Sequence, residues 1–257
     1  LMRSSAASDV YKRQLLDEYS QVYSWEYNNK NKELLLGIYY NRDQTNQAAP
    51  LTDFLQDMAQ GGWGDTNGEI KFWKAFPEGP RKDATYFPKI ILSDGELHDW
   101  WYDTDPPSRE VVAPVFMKTV EGAVRGTEFD YTNPALVNAA GEKTLQLIRL
   151  SQVYCWYAEA VGRSKTGSIT EAVNLLNEVR NRANGSVVAD RDIYKTTMSY
   201  DELAEAAYNE HGWEIAGYYW GNIATRARDM FRMNRIKDHF ESVSYTHLRA
   251  HETRRHL

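Results

Sequence analysis

The sequence predicts a mainly α fold, with helical hairpins in its second half and long irregular aromatic loops in its first. Three observations carry this. Apolar residues recur at intervals of three and four from about residue 143 to 161, and again after 168. Two Ser-x-x-Glu motifs, Ser168–Glu171 and Ser199–Glu202, each precede an apolar run, as helix-start signals do. Residues 41–141 hold no sustained period and are dense in Gly, Pro, Asp and Asn, as in Gly61-Gly62-Trp63-Gly64.

In chain order, Leu15–Tyr27 reads as a short helix or turn, and Glu33–Tyr40 as a buried strand or extended segment. After the loop-rich stretch, Leu147, Leu150, Val153, Tyr154, Tyr157 and Val161 share one face of a helix from about Lys143 to Val161, and Gly162–Gly167 forms the turn. In the Ser168–Glu171 capping box, the Ser oxygen and the Glu carboxylate each satisfy a free backbone N–H. The helix that follows turns Ala172, Val173, Leu176 and Val179 inward and ends near Asn184-Gly185. With small residues Ala158 and Ala172 near the contact, these two helices form a hairpin of tetratricopeptide type. One hairpin cannot bury both of its faces, so a partner element must come from elsewhere in the chain. A third helix is expected from Tyr200 to Ala216, a break at Gly217–Asn222, and a fourth helix from Ile223 to Lys237.

The two ends of the chain read differently. Asp9–Gln14 can be encoded as GAT GTG TAT AAG AGA CAG. The reverse complement, read two bases in, translates to Val-Ser-Tyr-Thr-His, which is the peptide at Val243–His247. The ends resemble a translated inverted repeat of the transposase-adapter type, so residues 1–14 and 243–257 are expected to be non-native and are set aside from the fold. Residues 15–242 then form the native region, loop-rich over 15–142 and helical over 143–242.

The whole chain carries 30 Lys and Arg against 36 Asp and Glu, a net charge of −6. Each end adds two net positive charges (Arg3, Lys12 and Arg13 against Asp9; Arg249, Arg254 and Arg255 against Glu252), so residues 15–242 carry −10. An acidic domain argues against a nucleic-acid partner, because phosphate binding needs a basic surface. Hydrophobic content of 42% supports a packed core. No apolar run approaches the ~20 residues of a membrane span. Cys155, the only cysteine, reads as a buried inert thiol. His98, His211 and His239 stand isolated, and no phosphate-binding glycine loop, nucleophile elbow or His-Glu-x-x-His spacing is present, so no cofactor or metal is expected.

Three segments carry a resemblance. Asn28-Asn-Lys-Asn-Lys-Glu33-Leu-Leu-Leu-Gly-Ile38 is the first. Leu147-Ile-Arg149-Leu-Ser-Gln-Val-Tyr154-Cys-Trp-Tyr157-Ala-Glu159-Ala160, with Glu171-Ala172, Leu176-Asn177, Val179-Arg180 and Arg182-Ala183, is the second and strongest. Asn209-Glu210-His211-Gly-Trp-Glu214 through Arg228-Asp229-Met-Phe-Arg232 is the third, with His211 where Arg is usual. Together they resemble the C-terminal part of the SusD/RagB family of outer-membrane nutrient-binding lipoproteins. Arg81-Lys-Asp83 loosely echoes a further family motif. The resemblance implies a SusD-like fold lacking its N-terminal part, and a glycan-binding protein that is not an enzyme. It implies lipid anchoring on the outer face of the outer membrane of a Bacteroidota-type cell, through an upstream segment. It also implies delivery of oligosaccharide to a SusC-like TonB-dependent transporter.

Sugar capture needs flat apolar ring faces, because the C–H face of a pyranose stacks on an aromatic ring while nearby polar groups fix its hydroxyls. Trp63 among three glycines, Trp73 between Lys71 and Lys74, and the Trp100-Trp101-Tyr102 cluster are the candidate stacking residues. The alternative for each ring is a role in pinning loops to the helical layer. Arg149, Glu159, Arg180, Arg182, Glu214, Arg228, Asp229 and Arg232 read as structural ion pairs between helices. Two other functions remain. A glycoside hydrolase would need a carboxylate pair such as Asp99 with Asp103 or Asp105 beside Trp100. A tetratricopeptide-type protein-interaction scaffold would bind on its helical face and leave the Trp loops dispensable.

Overall fold

The computed structural model describes residues 13–41, 43, 67–91, 95–99, 113–118, 120–133, 141–185, 191–217 and 223–241. Their secondary structure consists of β1 (Leu34–Ile38), α1 (Ile70–Ala75), α2 (Pro80–Thr85), β2 (Ile90–Ile91), β3 (Leu97–His98), β4 (Leu145–Arg149), α3 (Leu150–Ser164), α4 (Ile169–Asn184), α5 (Tyr200–Ile215) and α6 (Ile223–Arg232). The segment read as a short helix or turn is a pair of 3₁₀ turns, Tyr19–Tyr23 and Trp25–Tyr27.

The helical layer is α3, α4 and α5. Its core joins Cys155, Ala158 and Val161 of α3 to Ala172, Val173, Leu176 and Val179 of α4 and to Leu203 and Ala207 of α5. The α4 face is the one the sequence predicts. On α3 the face is turned slightly: Cys155 and Ala158 lie at its centre, while Tyr154 and Tyr157 flank it half-buried. The partner that the hairpin needs is α5, which packs along α3. Alanine at both Ala158 and Ala172, each fully buried, lets the helices approach closely.

The closest approach is at Gly162. A Cβ there would stand 2.6 Å from both the carbonyl oxygen of Tyr200 and the amide nitrogen of Ala204. Gly162 is therefore a contact residue inside α3 and not the start of the turn. The turn is made by Lys165 and Gly167, both at positive φ. Helix α4 begins at Ser168, whose hydroxyl accepts from the amide of Glu171. The expected return bond from the Glu171 carboxylate is replaced by another, since that carboxylate accepts from the Tyr157 hydroxyl at 2.7 Å. At Ser199 both halves of the capping box are present. Helix α4 ends at Gly185 and α5 just before Gly217, both glycines at positive φ.

Two boundaries differ from the sequence reading. The predicted helix from Lys143 starts only at Leu150, because residues 145–149 are extended and pair antiparallel with β1, with Ile38 opposite Leu145 and Leu34 opposite Arg149. Leu147 and Leu150 happen to fall three apart, which imitates a helical period across a strand-to-helix junction. The predicted fourth helix stops at Arg232, because Asn234 adopts a left-handed conformation, and one more helical turn follows at 236–241. Trp73, expected in a segment without helical period, lies in α1. A six-residue helix is too short for a period to show.

Replacing Gly162 with Ala is expected to destabilise the fold by about 1–3 kcal/mol, as overpacking against backbone does. Urea unfolding checks this: the midpoint should fall with the m-value unchanged.

Candidate functional site

A buried ion network draws on five elements. Glu33 stands just before β1, Arg81 on α2, Arg149 at the junction of β4 and α3, Arg182 on α4, and Glu210 and Glu214 one turn apart on α5. The β1–β4 pairing places Glu33 beside Arg149, and the Glu33 carbonyl accepts from the amide of Leu150 at 2.9 Å. Arg149 Nη1 donates to Glu33 Oε1 at 2.9 Å and to Glu214 Oε1 at 2.7 Å. Arg182 donates to Glu33 Oε2 at 2.7 Å and to Glu214 Oε1 at 2.6 Å. Arg81 reaches Glu214 Oε2 at 3.0 Å and Glu210 Oε1 at 2.5 Å. The backbone carbonyl of Glu214 accepts from the Tyr19 hydroxyl, Lys118 Nζ and Arg149 Nη2.

Every one of these side chains is essentially closed to solvent. Burial by itself would raise the pKa of Glu214, but Arg182, Arg149, Arg81 and Lys118 hold it well below the usual carboxylate range. Burial likewise acts on Glu33 and is outweighed by Arg182 and Arg149. Glu33, Glu210 and Glu214 thus face Arg81, Arg149 and Arg182, with Arg180 at the edge of the group, and Lys118 is a further cation. Burial, then the field of Arg149, pushes its pKa well below that of an ordinary lysine. Aromatic faces complete the shell: Arg182 lies 4.8 Å from the Tyr19 ring centroid, Lys118 5.1 Å from that of Tyr23, and Arg180 5.2 Å from that of Trp213.

A second, shallower cluster joins α3, α5 and α6. Arg232 pairs with Glu159 and with Asp229, and Asp229 Oδ2 lies 2.5 Å from His211 Nδ1. Burial would raise Asp229, yet the bond to His211 and the pair with Arg232 keep it low. The sequence-predicted ion-pair residues thus fall into these two groups, with Arg180 3.6 Å from Glu210; Arg228 is exposed. Glu33, Arg81, Lys118 and Glu210 complete the first group and were not singled out as ion-pair residues from sequence. Glu33, directly before the apolar run Leu34–Leu36, and Glu210 stand within the segments that carry the family resemblance, Arg81 only in a loose echo of it, and Lys118 in none of them.

Of the candidate stacking residues, Trp63, Trp100, Trp101 and Tyr102 lie outside the described residues, as do Asp103 and Asp105. Trp73 is half-buried, packs against the cluster of Phe87, Ile90, Val115 and Val120, and has the Lys82 ammonium 4.0 Å from its ring centroid. Cys155 is buried, and burial raises its thiol pKa well above the ordinary value. Among the described residues no three His, Cys, Asp or Glu side chains are grouped to hold a metal ion, and no helix is long and apolar enough to cross a membrane.

The SusD family model matches residues 118–247, which span β4 and α3 to α6 and run on into the tail segment. The chain belongs to the SusD family. SusD-superfamily structures share its fold. A SusD homolog from Bacteroides thetaiotaomicron VPI-5482 superposes with a TM-score of 0.61 at 19% identity, over 88% of this chain and 47% of that one. Surface glycan-binding protein A from Bacteroides thetaiotaomicron, in complex with laminarihexaose, gives 0.60 at 14% identity over 90% and 49%. A chain crystallised with a xylogluco-oligosaccharide gives 0.54 at 24% identity over 83% and 42%. The present chain spans about half the length of these SusD relatives. None of the curated proteins matches it.

Removing one partner from this network leaves buried charges uncompensated, which costs about 3–5 kcal/mol. Glu214→Gln is therefore expected to lower stability by that order, well beyond Arg228→Gln at the surface, as denaturant unfolding of both variants will show. Acid acts on the same groups. Glu33 and Glu214 titrate lower when folded than when unfolded, so their contribution is complete above about pH 4.5 and is lost as pH falls through their folded values. Melting temperature followed from pH 6 to 2 should drop in that window, and the drop should shrink in Glu214→Gln.

Proposed function

We propose that this chain is part of a non-catalytic, cell-surface glycan-binding protein that presents oligosaccharide to a SusC-like TonB-dependent transporter in the outer membrane, to which a lipid anchor upstream would hold it. The observation that carries this reading is membership of the SusD family, set on a fold shared with relatives crystallised with laminarihexaose and with a xylogluco-oligosaccharide. Oligosaccharide is the partner class those relatives support.

The chemistry of the described residues agrees with capture rather than cleavage. Glycoside hydrolysis needs one carboxyl group with a raised pKa to act as acid beside a second carboxylate. Glu33 and Glu214, two buried carboxylates that share Arg149 and Arg182, are instead held ionised by those arginines and closed off from solvent. They hold elements together, and Trp63, Trp73, Trp100, Trp101 and Tyr102 remain the proposed stacking residues.

Removing a stacking ring should weaken binding by about 1–3 kcal/mol, the scale of other buried aromatic anchors. Calorimetry of the chain against a panel of soluble polysaccharides should show saturable binding, weakened about tenfold or more in Trp63→Ala or Trp100→Ala. After long incubation no new reducing ends should appear. Shortened glycans would replace this reading with a hydrolase built on Asp99, Asp103 and Asp105. Failure to bind any glycan would leave the protein-interaction scaffold.

A further inference from the structure

A groove of about 500 Å³ opens between the Tyr19–Tyr23 turn, α2 and the chain from Met117 to Phe129. Its walls are mostly apolar: half-buried Phe129 supplies ring surface, the edge of Tyr23 lies at the base, and Met117, Val120, Pro80 and Ala84 fill between them. Polar groups stand around that surface. Ser20 and Ser24 contribute hydroxyls on one side, Asp83 a carboxylate on another, and Lys143 and Glu128 form an ion pair at 2.8 Å. Lys118 belongs to the wall and links the groove to the buried network through its bond to the Glu214 carbonyl.

We propose that this groove is a saccharide subsite that takes one or two neutral sugar rings, with an apolar ring face against Phe129 and hydroxyls toward Ser20, Ser24 and Asp83. The inference rests on the glycan-binding reading and places a sugar against described residues that the sequence did not single out. Four features support it. The volume lies within the range of small-molecule sites, and the mix of apolar wall with few polar groups is their usual composition. A pyranose has the same division, apolar on its ring faces and polar at its edge. The charges nearest the opening include both signs, Asp83 and Glu128 against Lys143, which favours a neutral ligand over an ion. Lys118, whose ammonium form is disfavoured by burial and by Arg149, adds little positive charge to attract an anion.

The walls are also firmly placed. Met117 and Phe129 pack with Trp73 on the cluster of Phe87, Ile90, Val115 and Val120, and Phe129 meets Phe87 edge-on at 4.9 Å. Tyr23 is held in the core with Tyr19 and Leu145. The groove is therefore preformed, and a ligand would not have to order its walls.

Ligand-observed NMR with a set of neutral methyl hexosides and pentosides tests this on the 257-residue chain. Ser20 and Asp83 are both exposed, so Ser20→Trp, which fills the opening, and Asp83→Asn, which removes a charged acceptor, should leave the melting temperature unchanged. The expected result is that at least one methyl glycoside binds the wild-type chain. Ser20→Trp should weaken that binding tenfold or more, and Asp83→Asn several-fold. Binding that survives Ser20→Trp unchanged would overturn the subsite. So would the absence of methyl glycoside binding. Polysaccharide binding measured on the same samples separates the two ideas, since its persistence would preserve the glycan-binding reading after the subsite had failed.

Discussion

Glu214 is the point on which the described fold turns. Its carboxylate and its backbone carbonyl together receive groups from the Tyr19 turn, α2, the Lys118 segment, the β4–α3 junction and α4. None of these partners is near another in sequence, apart from those on one element. A buried carboxylate without its arginines, or a buried arginine without its carboxylates, is strongly unfavourable. The network is therefore an all-or-none condition: β1 must pair with β4 in one register, α5 must lie along α3 at one depth, and α2 must dock above them, or several charges are stranded together.

Such a network is weak evidence for net stability, since apolar side chains of equal volume often do as well. Its consequence here is uniqueness of arrangement. The apolar core between α3, α4 and α5 is made largely of Ala, Val and Leu, which would tolerate small slides of one helix past another. Bonds from Arg182 to two carboxylates on different elements do not. Lys118 is a further cation beside these arginines. Burial and the field of Arg149 shift it toward its neutral form.

How much of this was legible in the sequence depended on whether the signal was local. The inward face of α4, the Ser199 box and the helix end at Gly185 were readable because each is set by residues within a few positions. The start of α3 was not. Strand β4 is extended because β1 lies beside it more than a hundred residues away in sequence, and no spacing within 143–161 records that. Gly162 misled in the same way: as a letter it reads as a helix stop, while its use is to admit the backbone of α5. The ion-pair residues on the helices were visible through the SusD/RagB resemblance. Arg81 showed only as a loose echo of a family motif and Lys118 not at all, because both come from stretches of the sequence without period. His211, standing where the family pattern has Arg, keeps the buried contact to Asp229. The candidate glycan site was less legible still, because the sequence identifies a ring without its exposure. Trp73 shows why: it is half-buried and covered by Lys82, which suits anchoring a loop as readily as meeting a sugar.

The two parts of the molecule are therefore related as support and surface. The network fixes α2 and the Lys118 segment against the helices, and those same pieces form walls of the groove. A binding surface of the kind proposed gains from such rigidity. Loose walls would have to be ordered by the ligand itself, at a cost in affinity for each side chain immobilised. Charges spent within the network serve the arrangement of its elements, because an arginine-bound carboxylate is a poor proton donor and a buried guanidinium cannot reach a ligand.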